Sequence, residues 1–575
     1  MIVPPNCSQR IGSVAAILVV VSGLIHPSHV AAQDARRLDL SSLSTGASAF
    51  PLVWKPYRPT PITPLNLRNS TLLDQQIAAG KLAVSARDFL QLVVENNLDL
   101  QAARYDYAIA QVDVLRARSG QAARGTSSSP LPAALFAGAL GAGVSANAAL
   151  SAGGTGGAAI TTQGRLVAIG PRGNFDPTLS ANLSYDRLVN PLNTKIVAGA
   201  AKVVIPSTVL QTRFQQQLPY GTSYSVSFNL QRQASTQSGL LFDPALTSFW
   251  SLQVYQPLLN GFGLALTRRF ITLAENNRTI VREAFHGTLN DTLANAANAY
   301  WDLVALRENV RVAEEAVSAA QRQVDENQQR ADLGVMTPLD VLSAESQLAS
   351  ARVQLVVAQT KEQQQEVTLK TLITMTADPR LDSITIEPID PLPSADYMDI
   401  PALSVSTAAA LANRSSIRQA QLALQNQRIA DEYTRKNLLP TLSVFGAVNL
   451  YGLAPATSPA LRQMVRWSYP EYSIGFTWSL PVLNRAAQAD DVRARFETQQ
   501  AEAALHRTES QIVSQVQAAI VGLQQSRARV EAAERAVEAG RRAYEGERVK
   551  LTEGISTPYR VLLAQRDLTA AESAD

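Results

Sequence analysis

The sequence predicts a mainly α-helical fold with a membrane β portion, built from a duplicated unit of long helical hairpins and amphipathic strands. Three observations lead to this prediction. The chain of 575 residues contains two similar copies of one segment, 303–351 and 523–571. The segment 264–332 contains no proline and one interior glycine, Gly287. Several shorter segments alternate apolar residues with polar, uncharged ones, which is typical of strands with two different faces.

The repeat is clearest when 303–351 is placed on 523–571 without gaps, because 17 of these 49 positions are then identical. The glycine, threonine and proline of one turn recur in the other, as Gly334 and Gly554, Thr337 and Thr557, and Pro338 and Pro558. An earlier match pairs 177–180 with 440–443. The whole order of elements is therefore duplicated, rather than one helix.

Long helices explain the proline-free segment. A helix over 264–332 would be about 100 Å long. Apolar residues at steps of three and four indicate a coiled-coil seam, and alanines within it permit close packing. The predicted helices of the two units are 86–118, 264–332 and 338–373, followed by 405–437, 486–552 and 559–575.

Strands are predicted between about 177 and 258 and over 441–450 and 471–480. One face carries Leu179, Leu183, Ile474 and Phe476, while serine, threonine and asparagine occupy the other. Such a wall suits lipid outside and water inside. An ordinary half-buried antiparallel sheet would show the same alternation. A further strand pair is expected around 205–217 and 222–233.

Composition excludes several classes. Charged residues make up 17% and apolar residues 46%, so the chain can bury a core and is not disordered throughout. A net charge of +3 is too balanced for a nucleic-acid binder with a basic face. A single cysteine, Cys7, and four histidines exclude a disulfide framework and argue against a Cys/His zinc site. We find no cluster of titratable groups of the kind an enzyme needs.

The N-terminus has the pattern of an export signal. Arg10 precedes an apolar run over 11–25, and Val30, Ala31 and Ala32 supply the small residues of a cleavage site. A membrane anchor is the alternative, but the run is shorter than the roughly 20 residues that span a bilayer. We therefore predict a signal peptide over 1–32. Elsewhere no apolar run has the length of a membrane-spanning helix, so a membrane-crossing chain would have to do so as a β-barrel.

The remaining boundaries follow from the repeat and from composition. An extended segment over 33–79 precedes the first repeat, and a linker over 376–404 separates the first repeat, 80–375, from the second, 405–575. A stretch over 119–174, rich in glycine, alanine and serine, is expected to be a flexible insertion. The last helix is short in comparison with its partner, or the sequence is a fragment.

Together these features resemble the TolC-type outer-membrane efflux protein family. The resemblance rests on the duplication, on the turn from Leu333 to Pro338 with its copy from Glu553 to Pro558, and on Asn437 to Pro440 at a change from helix to strand. It implies a homotrimer whose strands share one outer-membrane barrel and whose helices form a periplasmic tunnel. It also implies a periplasmic adaptor and an inner-membrane pump as partners, outer-membrane lipid around the barrel, no catalysis, no cofactor or metal, and no nucleic acid.

The resemblance implies that the two hairpin turns form the tunnel entrance and dock an adaptor. The alternative is that the turns act only as helix punctuation, with glycine at positive φ and proline restarting the helix. Asp340 and Arg560 occupy equivalent positions and are candidates for an entrance gate, by pairing between neighbouring hairpins; two separate solvated charges are the alternative. The candidate docking residues are Leu333, Gly334, Thr337, Pro338, Gly554, Thr557 and Pro558.

Two further points stay open in the sequence. His286 and His506 occupy equivalent positions of the two repeats. The alternatives are a histidine ring in a trimer, for metal binding or gating, and packed or solvated side chains, which are commoner. A periplasmic adaptor or a structural coiled-coil envelope protein would also contain long helices. An adaptor usually has one hairpin rather than two, and a coiled-coil protein would lack the duplicated threonine-proline turns.

Overall fold

The computed structural model describes most of the chain beyond the N-terminus. The described residues are 54–62, 64–78, 80–125, 159–162, 165–168, 175–193, 199, 201–334, 336–376, 379–391 and 400–572. The predicted signal peptide over 1–32 lies outside them, as do much of 33–79 and of the 119–174 insertion, part of the 376–404 linker and the last three residues. The helix predicted over 559–575 is described as far as Glu572.

The chain divides into two compact units, and each is described by itself. The described part of the first unit, 54–62 and 64–66, contains a single turn of 3-10 helix over Lys55–Tyr57, with the rings of Trp54 and Tyr57 6.2 Å apart. The second unit contains everything from Leu67 onward and all the elements below.

Eleven strands fall into three sheets within the described ranges. The largest sheet has six antiparallel strands in the order β11-β10-β8-β7-β6-β5. The strands are β1 (Ile77–Ala78), β2 (Lys81–Val84), β3 (Ala159–Thr162), β4 (Arg165–Ala168), β5 (Thr178–Pro191), β6 (Lys202–Gln217), β7 (Ser223–Gln233), β8 (Ala245–Pro257), β9 (Thr385–Pro388), β10 (Thr441–Ala454) and β11 (Tyr469–Ser479). The strand pair expected over 205–233 is therefore present as β6 and β7, inside the large sheet.

The helices run in the predicted order. They are α1 (Thr71–Gln76), α2 (Ala86–Asn96), α3 (Leu98–Arg118), α4 (Leu264–Thr267), α5 (Arg269–Asp332), α6 (Pro338–Leu372), α7 (Pro379–Asp382), α8 (Leu403–Asn413), α9 (Ser415–Asn437), α10 (Thr457–Val465), α11 (Arg485–Thr552) and α12 (Pro558–Glu572). With 64 and 68 residues, α5 and α11 are each about 100 Å long. Helix α5 pairs with α6 and with α3, and α11 pairs with α12 and α9.

None of the helices in the part of the chain that the structure describes combines the length and apolar character needed to cross a membrane.

Two helices predicted as continuous are each divided by one residue in extended conformation. Between α2 and α3, Asn97 has φ −70° and ψ 126°, and its side chain accepts hydrogen bonds from the backbone N–H groups of Asp99 and Leu100. Arg414 separates α8 from α9 with similar angles. An asparagine that caps a helix from outside satisfies N–H groups that a helix start leaves unpaired. The periodicity of apolar residues continues across Asn97, so the sequence pattern did not predict that one helix ends and another begins there.

A small sheet joins the start of the first repeat to the segments on either side of the repeat, because β1 lies in the predicted extended segment and β9 in the predicted linker. Strand β2 pairs antiparallel with β1 and parallel with β9, which is about 300 residues further along the chain. The core beside it contains Phe89 and Tyr300, whose rings lie 5.8 Å apart. The Tyr300 hydroxyl donates to the Val84 carbonyl at 3.1 Å and to Asp390 at 3.0 Å. Burial and the Asp390 carboxylate raise the pKa of Tyr300 to about 12, so this tyrosine stays neutral.

The two repeats meet at a buried amide cluster. Asn426 of α9 accepts from the Asn276 side chain at 2.8 Å and donates to Asn277 at 2.8 Å. Asn277 and Asn426 are both buried. Because a buried amide without a hydrogen bond costs free energy, these two bonds favour one position of α9 against α5.

Candidate functional site: the hairpin turns and the six-stranded sheet

The turn of the first hairpin is set by one glycine. Gly334 has φ 74°, in the left-handed region that residues with a Cβ adopt at a cost. Its backbone N–H donates to the Ala331 carbonyl at 2.9 Å, and the N–H of Leu333 donates to the Gln329 carbonyl at 3.2 Å. These bonds pair two of the carbonyls at the end of α5.

A capping box restarts the chain at α6. The Thr337 hydroxyl accepts from the Asp340 N–H at 3.3 Å, and the Asp340 carboxylate accepts from the Thr337 N–H at 3.2 Å. The Thr337 hydroxyl also donates to the same carboxylate at 2.6 Å. Asp340, predicted as a gate residue, is thus a helix cap in this chain. No ion pair joins Asp340 to Arg560 among the described residues, so pairing between hairpins of neighbouring chains stays a prediction.

The second turn also contains a glycine at positive φ, but different hydrogen bonds stabilise it. Gly554 has φ 76°, and the N–H groups of Ile555 and Ser556 both donate to the Lys550 carbonyl, at 2.8 and 3.1 Å. Glu547 accepts from the Ser556 hydroxyl at 2.6 Å and from the Lys550 ammonium at 2.7 Å. These hydrogen bonds lower the pKa of Glu547, with a smaller contribution from the charge of Arg560.

Sequence reasoning missed two supporting residues that occupy one repeat position. Asn327 donates to the Asp340 carbonyl at 3.4 Å, and Glu547, at the equivalent position of the second repeat, accepts from Ser556. Each reaches from its long helix to the chain beyond its turn. The repeat offset was the available signal, but the two residues differ in type and no identity marked them.

The tips expose apolar side chains. Leu333 is 78% exposed and Ile555 76%. Three more apolar side chains near the turns are exposed: Leu339, Leu342 and Tyr559. One helical turn away the inner positions are covered, since Val341 and Val561 are 8% and 1% exposed. The exposed side chains therefore form a distinct patch on each hairpin end.

The histidine positions do not converge within the chain. His506 Nδ1 lies 3.1 Å from Glu509 on the same exposed helix face, and the His286 ring lies 6.2 Å from that of Phe285. Within the described ranges, no group of three or more His, Cys, Asp or Glu side chains could hold a metal ion.

Two adjacent rows of paired residues that cross all six strands of the large sheet differ in chemical character. One row of paired residues is apolar throughout, and the adjacent row on the opposite face is polar. The apolar row is Leu179, Phe214, Val226, Leu252, Val448 and Tyr472. The polar row is Ser180, Arg213, Ser227, Ser251, Asn449 and Glu471. Leu183 and Phe476, on the apolar face, are 72% and 75% exposed.

The chain thus combines a six-stranded sheet, two turns that each contain a glycine at positive φ, and paired helices about 100 Å long. Residues 223–374 and 407–575 match the outer membrane efflux protein family, and together they make up more than half of the chain. The chain belongs to this family.

Individual relatives are distant in sequence but similar along most of their length. The outer membrane efflux protein BepC of Brucella suis biovar 1 (strain 1330) is 23% identical over 356 residues, or 62% of this chain and 73% of BepC. The outer membrane protein VceC of Vibrio cholerae superposes with a TM-score of 0.55 at 15% identity, covering 85% of this chain and 91% of VceC. The Campylobacter jejuni CmeC outer membrane channel gives 0.55 at 14% identity and 90% coverage of each chain.

Several predictions from sequence are confirmed. The predicted family and outer-membrane location agree with the family match, and the fold class of long hairpins with amphipathic strands agrees with these structures. The roles assigned to the tip residues of this efflux protein stay predictions.

Proposed function

We propose that this efflux protein is the outer-membrane channel subunit through which small molecules or proteins leave the cell. The proposal rests on the combination, in one chain, of a sheet suited to lipid and of long helices that end in exposed turns. A sheet with an exposed apolar face is continuous with helices about 100 Å long, which end in two exposed turns. The sheet fits lipid, and the helices are long enough to extend well away from it. The proposed role is passive conduction, which requires no covalent chemistry.

The channel requires several copies of the chain. Small barrels close with about eight strands, and one chain has six in its large sheet. An open edge within lipid leaves backbone groups unpaired, at several kcal/mol each. The resemblance to TolC-type proteins implies three copies, and we adopt a homotrimer.

The hairpin tips are proposed to dock a periplasmic adaptor that connects the channel to an inner-membrane pump. Exposed apolar side chains at the ends of both hairpins, such as Leu333 and Ile555, indicate a surface that another protein covers. The turns that present these side chains contain the other candidate docking residues, Gly334, Thr337, Pro338, Gly554, Thr557 and Pro558. The same turns form the proposed entrance, where Asp340 and Arg560 are the candidate gate.

A periplasmic adaptor or a structural coiled-coil protein is the alternative interpretation of the helices. The large sheet argues against both, because each of its strands has at least 11 residues, and a membrane strand needs about 9–11.

Membrane fractionation and planar-bilayer recording test the proposal together. We expect the full-length chain to sediment with outer membranes, to cross-link as a trimer and to open discrete conductance steps in a bilayer. A soluble periplasmic chain, or purified trimers without conductance under any voltage, would contradict it.

A further inference from the structure

Two strands of the large sheet lie outside the family match. The matched segments, 223–374 and 407–575, contain β7, β8, β10 and β11, whereas β5 and β6 precede them. In the sheet these two strands lie at one end, beyond β7, and because they lie outside the family match we call them the added strands. The chain therefore extends the wall that its family shares, or it carries a hairpin that folds elsewhere in the assembled protein.

The pairing favours an extended wall. All 14 residues of β5 pair with β6, and all 11 residues of β7 pair with β6 on its other side. The added strands keep the two faces of the sheet, since Leu183 pairs with Leu210 and Leu210 with Leu230. A slip of one residue would send every apolar side chain to the opposite face, so the continuous face indicates a specified register.

The turn between β6 and β7 is anchored to the part of the chain that the family shares. Thr267, just before the long helix α5, donates its hydroxyl to the Pro219 carbonyl in this turn. Thr222 hydrogen-bonds to Gln256 at the end of β8. Gly221 has φ 95°, and a Cβ at this position would lie 3.0 Å from the Gly261 carbonyl oxygen. The added strand β6 is thus tied to the channel scaffold through this turn as well as along its edge.

We propose that every chain contributes all six strands, so that three copies close a barrel of 18 strands by pairing β5 of one chain with β11 of the next. This inference rests on the trimer of the proposed function. Five successive antiparallel pairings separate β5 from β11, so the two edge strands run in opposite directions. Head-to-tail copies can therefore continue the antiparallel pattern around a closed ring.

A second copy is the occupant that the two edges require. β5 has 14 residues and β11 has 11, so both are long enough to cross the hydrocarbon region. An edge of that length exposed to lipid would leave a row of N–H and C=O groups unpaired. Only another strand can pair all of them, and on each of the two strands most of the exposed apolar side chains lie on the apolar face of the sheet, as Leu183 of β5 and Phe476 of β11 do.

The proposal changes the width of the exit. With strands about 4.8 Å apart and tilted by about 40°, 18 strands give a backbone diameter of about 36 Å. Twelve strands, four from each chain, would give about 24 Å. The added hairpin thus widens the outer-membrane passage by about half, which suits a cargo larger than a four-strand subunit would pass.

Disulfide scanning between edge strands tests the pairing. Cys7 is the single cysteine, so a Cys7→Ser background makes each introduced thiol unique. The first cysteine is placed on the polar face of β11, by Ser473→Cys, Thr477→Cys or Ser479→Cys. The second cysteine is placed in turn at four positions of β5, by Ser180→Cys, Asn182→Cys, Ser184→Cys or Asp186→Cys. The matched control scan places the second cysteine in β7, by Ser223→Cys, Ser225→Cys, Ser227→Cys and Asn229→Cys.

We expect oxidation in membranes to link chains into dimers and trimers for neighbouring positions of the β5 scan and for none of the β7 scan. Linkage through β7 in place of β5 would overturn the inference and leave the trimeric channel intact, because the wall would then hold four strands per chain. Linkage through neither scan would overturn both the 18-stranded wall and the shared barrel of the proposed function.

Discussion

Replacing Phe476 by arginine should prevent stable insertion of the channel. Phe476 pairs with Val444 on the apolar face and is 75% exposed in the chain, so its loss removes little packing within the subunit. The substitution is costly because the arginine would face lipid, which costs about 2–4 kcal/mol for an arginine near the bilayer midplane. Three chains per assembly would bring this to about 6–12 kcal/mol, a large part of the stability of a typical folded protein.

The assay compares membrane fraction, trimer yield and heat resistance of the trimer on gels. Ser479→Arg is the matched control in the same strand, because Ser479 is exposed on the polar face. We expect the control to insert normally and to change only conductance. The pair Leu183→Arg and Ser180→Arg repeats the comparison in β5. Equal defects on both faces, or insertion of Phe476→Arg at the normal yield, would refute the orientation of the sheet.

Three further predictions concern the hairpin tips. Gly554→Ala should destabilise the second turn by about 1–2 kcal/mol, because φ is 76°. Gly546→Ala, with no atom near its added Cβ, should stabilise α11 by about 0.5–1 kcal/mol in thermal unfolding; equal shifts would contradict this account. Asp340→Arg and Arg560→Asp should each raise single-channel conductance and vancomycin sensitivity, and the double exchange should restore closure if the charges pair between hairpins; strictly additive effects would exclude the pair. The pKa of Glu547 is lowered from 4.5, so its contribution to stability should be present above about pH 4.5 and be lost as pH falls through the lowered pKa, which a Glu547→Gln comparison of melting temperature against pH would measure.

Local patterns in the sequence determined the elements themselves. The absence of proline and the apolar steps predicted α5 and α11 to within a few residues of their ends, except for the break before Arg269. The glycines at 334 and 554 predicted both turns, because a positive φ is a local requirement that glycine meets at least cost. Alternation predicted which side chains share a face, since the period of a strand is fixed by its backbone.

The roles of individual tip residues needed the fold. The sequence placed Asp340 beside a turn but did not distinguish a gate from a cap, and the structure brings its carboxylate to Thr337. Asn327 and Glu547 were not predicted at all, because their partners lie across a turn and their types differ between repeats. Hydrogen bonds of this kind depend on three-dimensional distance, which periodicity does not encode.

The order of strands was decided only by tertiary structure. Alternation is the same for a strand at the centre or the edge of a sheet, so the sequence left open whether 205–233 joined the wall. Pairing β8 with β10 joins residues that are almost 200 positions apart, and β2 pairs with β9 across about 300 positions. Such contacts have to offset the entropy of closing long loops, and they form only where whole faces match. The sequence by itself therefore determined the parts and their two faces, while the packing of distant segments determined which strands form the edges that a neighbouring chain would meet.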